Sequence, residues 1–152
     1  MKNYDQLKLE NQLCFPFYAI SRLITRQYQP LLEELELSYP QYLVLLILWE
    51  KDKQTVNEIG KQLILNTNTI TPLLKRMETM ELLYRQKATD DERKVIIQLT
   101  NKGKKLRDKA INIPSQIIGL EESTEKQIAQ TKKFQQQLLT LLKGMQQAEN
   151  IE

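Results

Sequence analysis

The fold is decided by the run Asn66-Thr67-Asn68-Thr69-Ile70-Thr71-Pro72-Leu73-Leu74-Lys75-Arg76-Met77 together with three downstream segments, Leu83-Tyr84-Arg85-Gln86-Lys87, Thr89-Asp90-Asp91-Glu92-Arg93 and Lys94-Val95-Ile96-Ile97-Gln98-Leu99. Ile70, Leu73, Leu74, Met77 and Leu82 recur at helical spacing, which predicts a helix over about Thr67 to Leu82 with those residues inward. Thr67, Asn68, Thr69, Thr71, Lys75 and Arg76 then lie outward. Just ahead, Thr55-Val56-Asn57-Glu58 has the form of a capping box and opens a short amphipathic helix to about Leu63, leaving a polar break at Asn66-Thr67-Asn68. Two helices joined tightly in this way make a helix-turn-helix. Small hydrogen-bonding residues at the start of the second helix suit base edges, and Lys75 and Arg76 suit phosphates. The two β-rich runs around the polar turn predict a hairpin, or wing. A charged turn is ordinarily a solvated loop. An arginine after two aspartates and a glutamate makes sense if Asp91 orients Arg93, whose guanidinium fits a minor groove.

Working outward, Ser38-Tyr39-Pro40-Gln41 is a second capping box, with proline in the first turn of a helix through Trp49. That helix is apolar on nearly all sides, so it belongs at the centre of the core. Leu9, Leu13, Phe17, Ile20, Ile24, Tyr28 and Leu31 or Leu32 mark another helix, roughly Leu7 to Leu35 and about 40 Å long. Pro16 requires either that its regular part begin near Leu13 or that it kink there. Thr100-Asn101 caps a basic helix to about Ile111, closed by Pro114, and Ser123 starts a last helix to about Gln147 carrying Ile128, Phe134, Leu138, Leu141 and Leu142. The two terminal helices offer more apolar stripe than one small domain covers. A homodimer formed by them around a two-fold axis explains the surplus; an antiparallel pair within one chain is the alternative. The expected architecture is mainly α with a small β-hairpin wing, one domain over 1–152. Its DNA-binding part is about 38–100, and dimerisation helices lie at about 7–35 and 101–147.

Composition excludes much else. The 152 residues include one cysteine and no histidine, so an intrachain disulfide, the usual zinc sites, and Cys-His or Ser-His catalysis are closed off, and no metal or cofactor is expected. The longest apolar run, Tyr42 to Trp49, is far too short to span a bilayer, and no signal peptide is evident, which points to a cytoplasmic protein that meets no membrane. The net charge of +3 hides an asymmetry, since Lys61 to Lys109 holds 12 basic and 6 acidic residues. A basic middle on an acidic frame suits a polyanion such as double-stranded DNA, although an ordinary solvated surface accounts for the charge equally well. Apart from a glutamine-rich tail there are no repeats, low-complexity segments or linkers.

With these pieces in place the chain resembles the MarR family of winged-helix regulators, and within it the organic hydroperoxide resistance regulators. The family likeness runs from about Leu9 to Leu142. It rests on Asp90-Asp91-Glu92-Arg93-Lys94 followed by Leu99-Thr100-Asn101-Lys102-Gly103, and on Thr69 to Glu78. The narrower likeness rests on Leu9-Glu10-Asn11-Gln12-Leu13-Cys14-Phe15, on Tyr28 in Arg26-Gln27-Tyr28-Gln29-Pro30, and on Tyr39 in Leu37-Ser38-Tyr39-Pro40-Gln41. The resemblance implies that Cys14 reacts with peroxide, that Tyr28 and Tyr39 hydrogen-bond it across a dimer, and that Tyr18 takes part in the oxidised rearrangement. Where relatives often carry Asp-Ser-Gly-Thr this chain has Asn66-Thr67-Asn68-Thr69, so the operator does not carry over.

Chemistry agrees with that assignment. The thiolate is the nucleophile, and a helix N-terminus with phenol donors nearby acts in favour of the charged form. Leu13, Phe15 and Phe17 suit an organic hydroperoxide better than hydrogen peroxide. On its own, a lone cysteine is more readily a small buried core residue, and it is the pair of tyrosines that turns the reading toward sensing. Lacking a second thiol, Cys14 would pass through a sulfenic acid to a mixed disulfide with a low-molecular-weight thiol or to a sulfinic acid. The expectation is a homodimeric repressor, not an enzyme, that leaves a pseudo-palindromic operator on oxidation. Three rivals stand beside it: a regulator of the same fold released by a small aromatic or anionic ligand, a thiol peroxidase turning over at Cys14, and a helical interaction protein that never meets DNA.

Overall fold

The computed structural model describes residues 4–89, 91, 93–118 and 124–149. Two 3-10 turns, Asp5–Leu7 and Leu9–Asn11, precede α1, Phe15–Glu33, of which Cys14 is the N-cap. Pro16 sits in the first turn of α1, where its missing N–H would have had no helical partner anyway, so the helix begins beside Cys14 and no kink is needed. α2, Tyr39–Glu50, opens with the Ser38 N–H donating to Gln41 Oε1 at 2.7 Å. Val44, Leu45 and Leu48 on this helix are buried to within 1% of complete, which places α2 at the centre of the core.

A two-residue strand, β1 (Gln54–Thr55), leads into α3, Val56–Leu63. The capping box at its start is complete. Glu58 N–H donates to Thr55 Oγ1 at 3.2 Å, and Thr55 N–H to Glu58 Oε2 at 2.7 Å. α3 ends on Ile64 in the left-handed region at φ 56°, with Leu65 N–H reaching back to Gly60 O at 2.9 Å. A β-branched residue is strained there, and the tight turn into α4, Thr67–Thr79, requires it. Ile59 of α3 and Ile70, Leu74 and Met77 of α4 close on α2 with 0–1% exposure. Each such side chain contributes about 1.5–3 kcal/mol by leaving water.

α4 stops at Thr79, three residues before the periodicity suggested, because Glu81 adopts φ 58° and Leu82 N–H folds back on Met77 O at 3.0 Å. Leu82 is buried, as the pattern required, but in the turn that feeds β2. The wing strands are β2, Leu83–Lys87, and β3, Val95–Leu99, antiparallel with Arg85 opposite Ile97. β1 pairs with the other edge of β3, Gln54 opposite Ile97, so the sheet has three strands in the order β1-β3-β2 rather than the hairpin alone. Of the wing turn, Asp90 and Glu92 lie outside the described residues.

α5, Asn101–Ala110, is capped by Thr100, whose Oγ1 accepts from Gly103 N–H at 3.0 Å. Pro114 does more than close this helix. It falls in the first turn of a further short helix, α6, Ile113–Ile118. The last helix, α7, runs Glu125–Glu149; Ser123, expected to start it, lies outside the described residues. The chain divides into two units, Met1–Ile113 and Pro114–Glu152. In the first, Leu13, Phe15, Phe17, Ile20, Leu23 and Ile24 remain exposed along and just before α1; in the second, Phe134, Leu138, Leu141, Leu142 and Met145 remain exposed along α7. Among the described residues no helix is long and apolar enough to cross a membrane.

Candidate nucleic-acid interface and thiol site

Asn66 positions the start of α4. Its Oδ1 accepts from both Thr69 N–H and Thr69 Oγ1, each at 3.0 Å. Thr67, Asn68, Thr69, Lys75 and Arg76 are exposed, and Thr71 is half-buried, so the outward face read from the sequence is the solvent face of this helix. The cap takes the Thr69 hydroxyl proton, which leaves that oxygen to accept rather than donate.

The wing turn is organised by Asp91. Its Oδ1 accepts from the backbone N–H of Arg93 at 3.0 Å, its carbonyl from Lys94 N–H at 2.9 Å, and its Oδ2 lies 4.0 Å from Lys94 Nζ. Asp91 therefore orients Arg93 through the main chain, and the guanidinium itself reaches out from an exposed position. Between wing and helix-turn-helix lies a cleft of about 420 Å³ lined by Thr67, Thr71, Asn57, Arg85, Arg93 and Lys94. Arg85 was not anticipated. Its backbone N–H donates to Glu78 Oε1 at 3.1 Å and its guanidinium lies 3.5 Å from Glu78 Oε2, which ties β2 to the C-terminal part of α4. An arginine placed in a strand run shortly before the wing turn was the available signal.

Cys14 is exposed, so it is no core residue of this chain, and its side chain makes no capping bond. Tyr18 follows one turn later, exposed, with the Arg22 guanidinium 5.8 Å over its ring. Tyr28 and Tyr39 do come together, with ring centroids 4.8 Å apart. Burial holds both phenols above the ordinary tyrosine range, and for Tyr28 the neighbouring Tyr39 adds to the effect. They stay protonated at neutral pH and can donate. Cys14 does not join them within the protomer, since the 14 residues of helix to Tyr28 span about 21 Å. Two further aromatics do, which the sequence reading missed. Tyr42 lies 5.9 Å from Tyr28, and Trp49 lies 6.3 Å from Tyr42. Spacings of three and seven residues from Tyr39 to Tyr42 to Trp49 on one helix were the signal that could have found them. A further cleft of about 680 Å³, lined by Ser21, Arg22, Thr25, Arg26, Gln29 and Tyr39 among others, runs between α1 and the start of α2. Among the described residues no cluster of three or more His, Cys, Asp or Glu side chains could hold a metal ion.

Comparison with known proteins shows the family. The family model described as transcriptional regulator SarA/Rot matches residues 26–110. The chain is 48% identical over 144 residues to the organic hydroperoxide resistance transcriptional regulator of Bacillus subtilis (strain 168), covering 95% of this chain and 96% of that one. Among solved structures it is similar to reduced AbfR bound to DNA, with a TM-score of 0.75 and 36% identity over 93% of this chain and 97% of that one. It is similar also to overoxidized AbfR bound to DNA, with a TM-score of 0.69 and 36% identity over 90% of this chain and 97% of the other. AbfR is a protein of Staphylococcus epidermidis.

Proposed function

The chain belongs to the MarR/SarA-type winged-helix transcriptional regulators, on the branch of the organic hydroperoxide resistance regulators, and from that premise we propose that it is a homodimeric repressor that leaves its operator when Cys14 is oxidised by an organic hydroperoxide. The observation that carries the reading is a division of labour. One protomer holds a pair of protonated phenols, Tyr28 and Tyr39, and holds its only thiol about 21 Å away along α1. A second copy, seated on the exposed apolar stripe of α1, supplies the missing partner, so that the Cys14 of each protomer meets the Tyr28 and Tyr39 hydroxyls of the other. The exposed stripe of α7 serves the same association.

In the reduced dimer the two phenols donate to the Cys14 thiolate. Sγ attacks the outer oxygen of the hydroperoxide; an S–O bond forms, the O–O bond breaks, and the alkoxide leaves, taking a proton from water to become the alcohol. The sulfur is oxidised and the peroxide reduced. The resulting sulfenic acid condenses with a low-molecular-weight thiol, forming S–S and releasing water. Overoxidized AbfR is bound to DNA, which favours the bulky mixed disulfide over the small sulfinic acid as the form of this chain that lets go. The adduct cannot occupy the place of a thiolate between two phenols. About 4 kcal/mol of lost binding lowers occupancy roughly a thousandfold, so a modest misplacement of the reading heads suffices.

Those heads are the α4 helices. Thr67, Asn68, Thr69 and Thr71 face base edges of the major groove, Lys75 and Arg76 meet phosphates, and Arg93, set by Asp91, enters the minor groove. Two copies address half-sites about one turn apart in a pseudo-palindromic operator. With no histidine and no second thiol, Cys14 acts as a sensor and not as a turning-over peroxidase. A protein that works on DNA in this way acts in the cytoplasm. Gel shift against the promoter of the protein's own gene tests the reading, using wild type and Cys14→Ser before and after an organic hydroperoxide and a small thiol. Wild type alone should be released, and a reductant should restore it. Release of Cys14→Ser would overturn the mechanism.

One observation favours a second reading, in which a small anionic ligand releases the regulator and Cys14 is incidental. The 680 Å³ cleft carries Arg22 and Arg26 beside Ser21, Thr25 and Tyr39. Ligand-induced release that survives Cys14→Ser would select it.

A further inference from the structure

We propose that Trp49 is the positioning residue that joins the sensor tyrosines to the base of the wing, an inference that rests on the oxidation-sensing reading above. Three ring contacts lead inward from the thiol site: Tyr39 to Tyr28 at 4.8 Å, Tyr28 to Tyr42 at 5.9 Å, and Tyr42 to Trp49, edge to face, at 6.3 Å. Tyr42 is only 2% exposed, so it cannot move aside into solvent when Tyr28 moves. Aromatic side chains packed at these separations transmit displacement because the interior has no slack to absorb it.

The far end of the chain of contacts is a hydrogen bond. The indole Nε1–H of Trp49 donates to the carbonyl of Gly103 at 2.9 Å. Gly103 lies in the first turn of α5, pressed so closely on the wing that an added Cβ would run into the Leu82 carbonyl oxygen and come within 3.1 Å of Leu99 Cδ2. The same corner is closed by Thr100. Its backbone N–H donates to Leu82 O at 3.1 Å, and its hydroxyl donates to Glu81 O at 2.6 Å while accepting from Gly103 N–H. Leu82 immediately precedes β2, and Leu99 is the last residue of β3. A shift of Gly103 is therefore a shift of both wing strands and of Arg93 at their tip. Because Trp49 grips Gly103 with its one polar atom and Tyr42 with its ring, it is the residue through which displaced tyrosines reach the wing. A physical route of this kind becomes coupling only if both ends bias it, and that is measurable.

The lone tryptophan of the chain makes the test direct, since all tryptophan emission comes from the surroundings of Trp49. In DNA-free wild-type protein, cumene hydroperoxide followed by a small thiol should change Trp49 emission, and Cys14→Ser should show no change. Trp49→Phe keeps a ring against Tyr42 and loses the bond to Gly103. It should bind operator DNA in the reduced state within about threefold of wild type, while its loss of affinity on oxidation shrinks about tenfold, the size expected when a residue on a coupling route is removed. Tyr42→Phe, which keeps the ring, should respond like wild type, and Tyr42→Leu should resemble Trp49→Phe. Thermal melts establish that each variant is folded. A loss of affinity on oxidation as large in Trp49→Phe as in wild type, or release of wild type with Trp49 emission unchanged, would overturn the link while leaving Cys14 as sensor. Wild type that binds DNA and ignores hydroperoxide would remove the premise and the link together.

Discussion

Removing the phenyl ring of Phe17 tests the dimer on which the thiol site depends. Phe17 projects from the first turns of α1 with 49% of its surface exposed, in line with Ile20 and Ile24 on the same helix. An aromatic side chain buries 150–250 Å² when fully covered, so a partner copy seated here takes roughly a further 100 Å² of Phe17 out of water. At about 25 cal/mol per Å² that is roughly 2.5 kcal/mol for each protomer, less about half a kcal/mol for the methyl group that alanine retains. A two-fold interface counts the change twice. Phe17→Ala should therefore weaken association by about 4 kcal/mol, roughly a thousandfold in the dimer dissociation constant. Alanine is the better helix former, so α1 itself is not put at risk. Sedimentation equilibrium over a dilution series reads the constant directly. Arg26→Gln is the control, nine residues further on and half a turn out of phase, and it should leave association unchanged. If Phe17→Ala dimerises within about threefold of wild type, ten times less than even a single 2 kcal/mol contact would allow, the α1 stripe is not the interface and the two-protomer site fails with it.

Gly103→Ala should destabilise the protein by about 2–4 kcal/mol, since the added methyl group meets a backbone carbonyl that is tied to Thr100; thermal unfolding measures it, and an unchanged melting temperature would mean that α5 can slide off Leu82. Asn66→Ala removes the N-cap of the recognition helix and should cost about 1 kcal/mol in urea unfolding. It should also weaken DNA binding, because Thr69 loses the acceptor that fixes its hydroxyl. Tyr28, Tyr39 and Tyr42 all have pKa values raised by burial. A folded-state value above the unfolded value of 10.0 means a stability contribution present below that pH and lost as pH rises through the folded values. Phenolate absorbance in alkali should show these three tyrosines titrating above the ordinary value of 10.0, together with loss of structure. Lys75→Ala should lower the slope of log affinity against log salt by about one and weaken all sequences alike, whereas Arg93→Ala should also blunt discrimination at the minor-groove positions.

How much was legible before folding depends on the range of the forces involved. Capping boxes at Thr55 and at Ser38, the amphipathic spacing of α4 and the alternation of the wing strands are local. They are set by backbone groups and side chains within a few residues, and these helices and strands begin within a residue of where those signals put them. The thiol site was half legible. A lone cysteine at a helix start and two tyrosines in matching surroundings singled out the candidates, and the structure brings Tyr28 and Tyr39 within 4.8 Å of each other. The end of α4 was misplaced because Leu82 satisfies a helical period equally well from the turn into β2, and only the partners of that turn, Met77 O and Thr100 N–H, select it. The third strand was illegible because two residues carry no period, and Gln54 and Thr55 become a strand only when β3 arrives beside them. The same holds for the bond from Trp49 to Gly103, 54 residues apart. Residue order was enough to specify the winged-helix family and to single out one helix face and one thiol as candidates, because propensity, capping and periodicity act over single turns. It took the packed molecule to place Tyr28 and Tyr39 side by side about 21 Å along α1 from Cys14, and to bring Tyr42 and Trp49 of α2 between those phenols and Gly103, because both are distances between segments that only packing brings to rest.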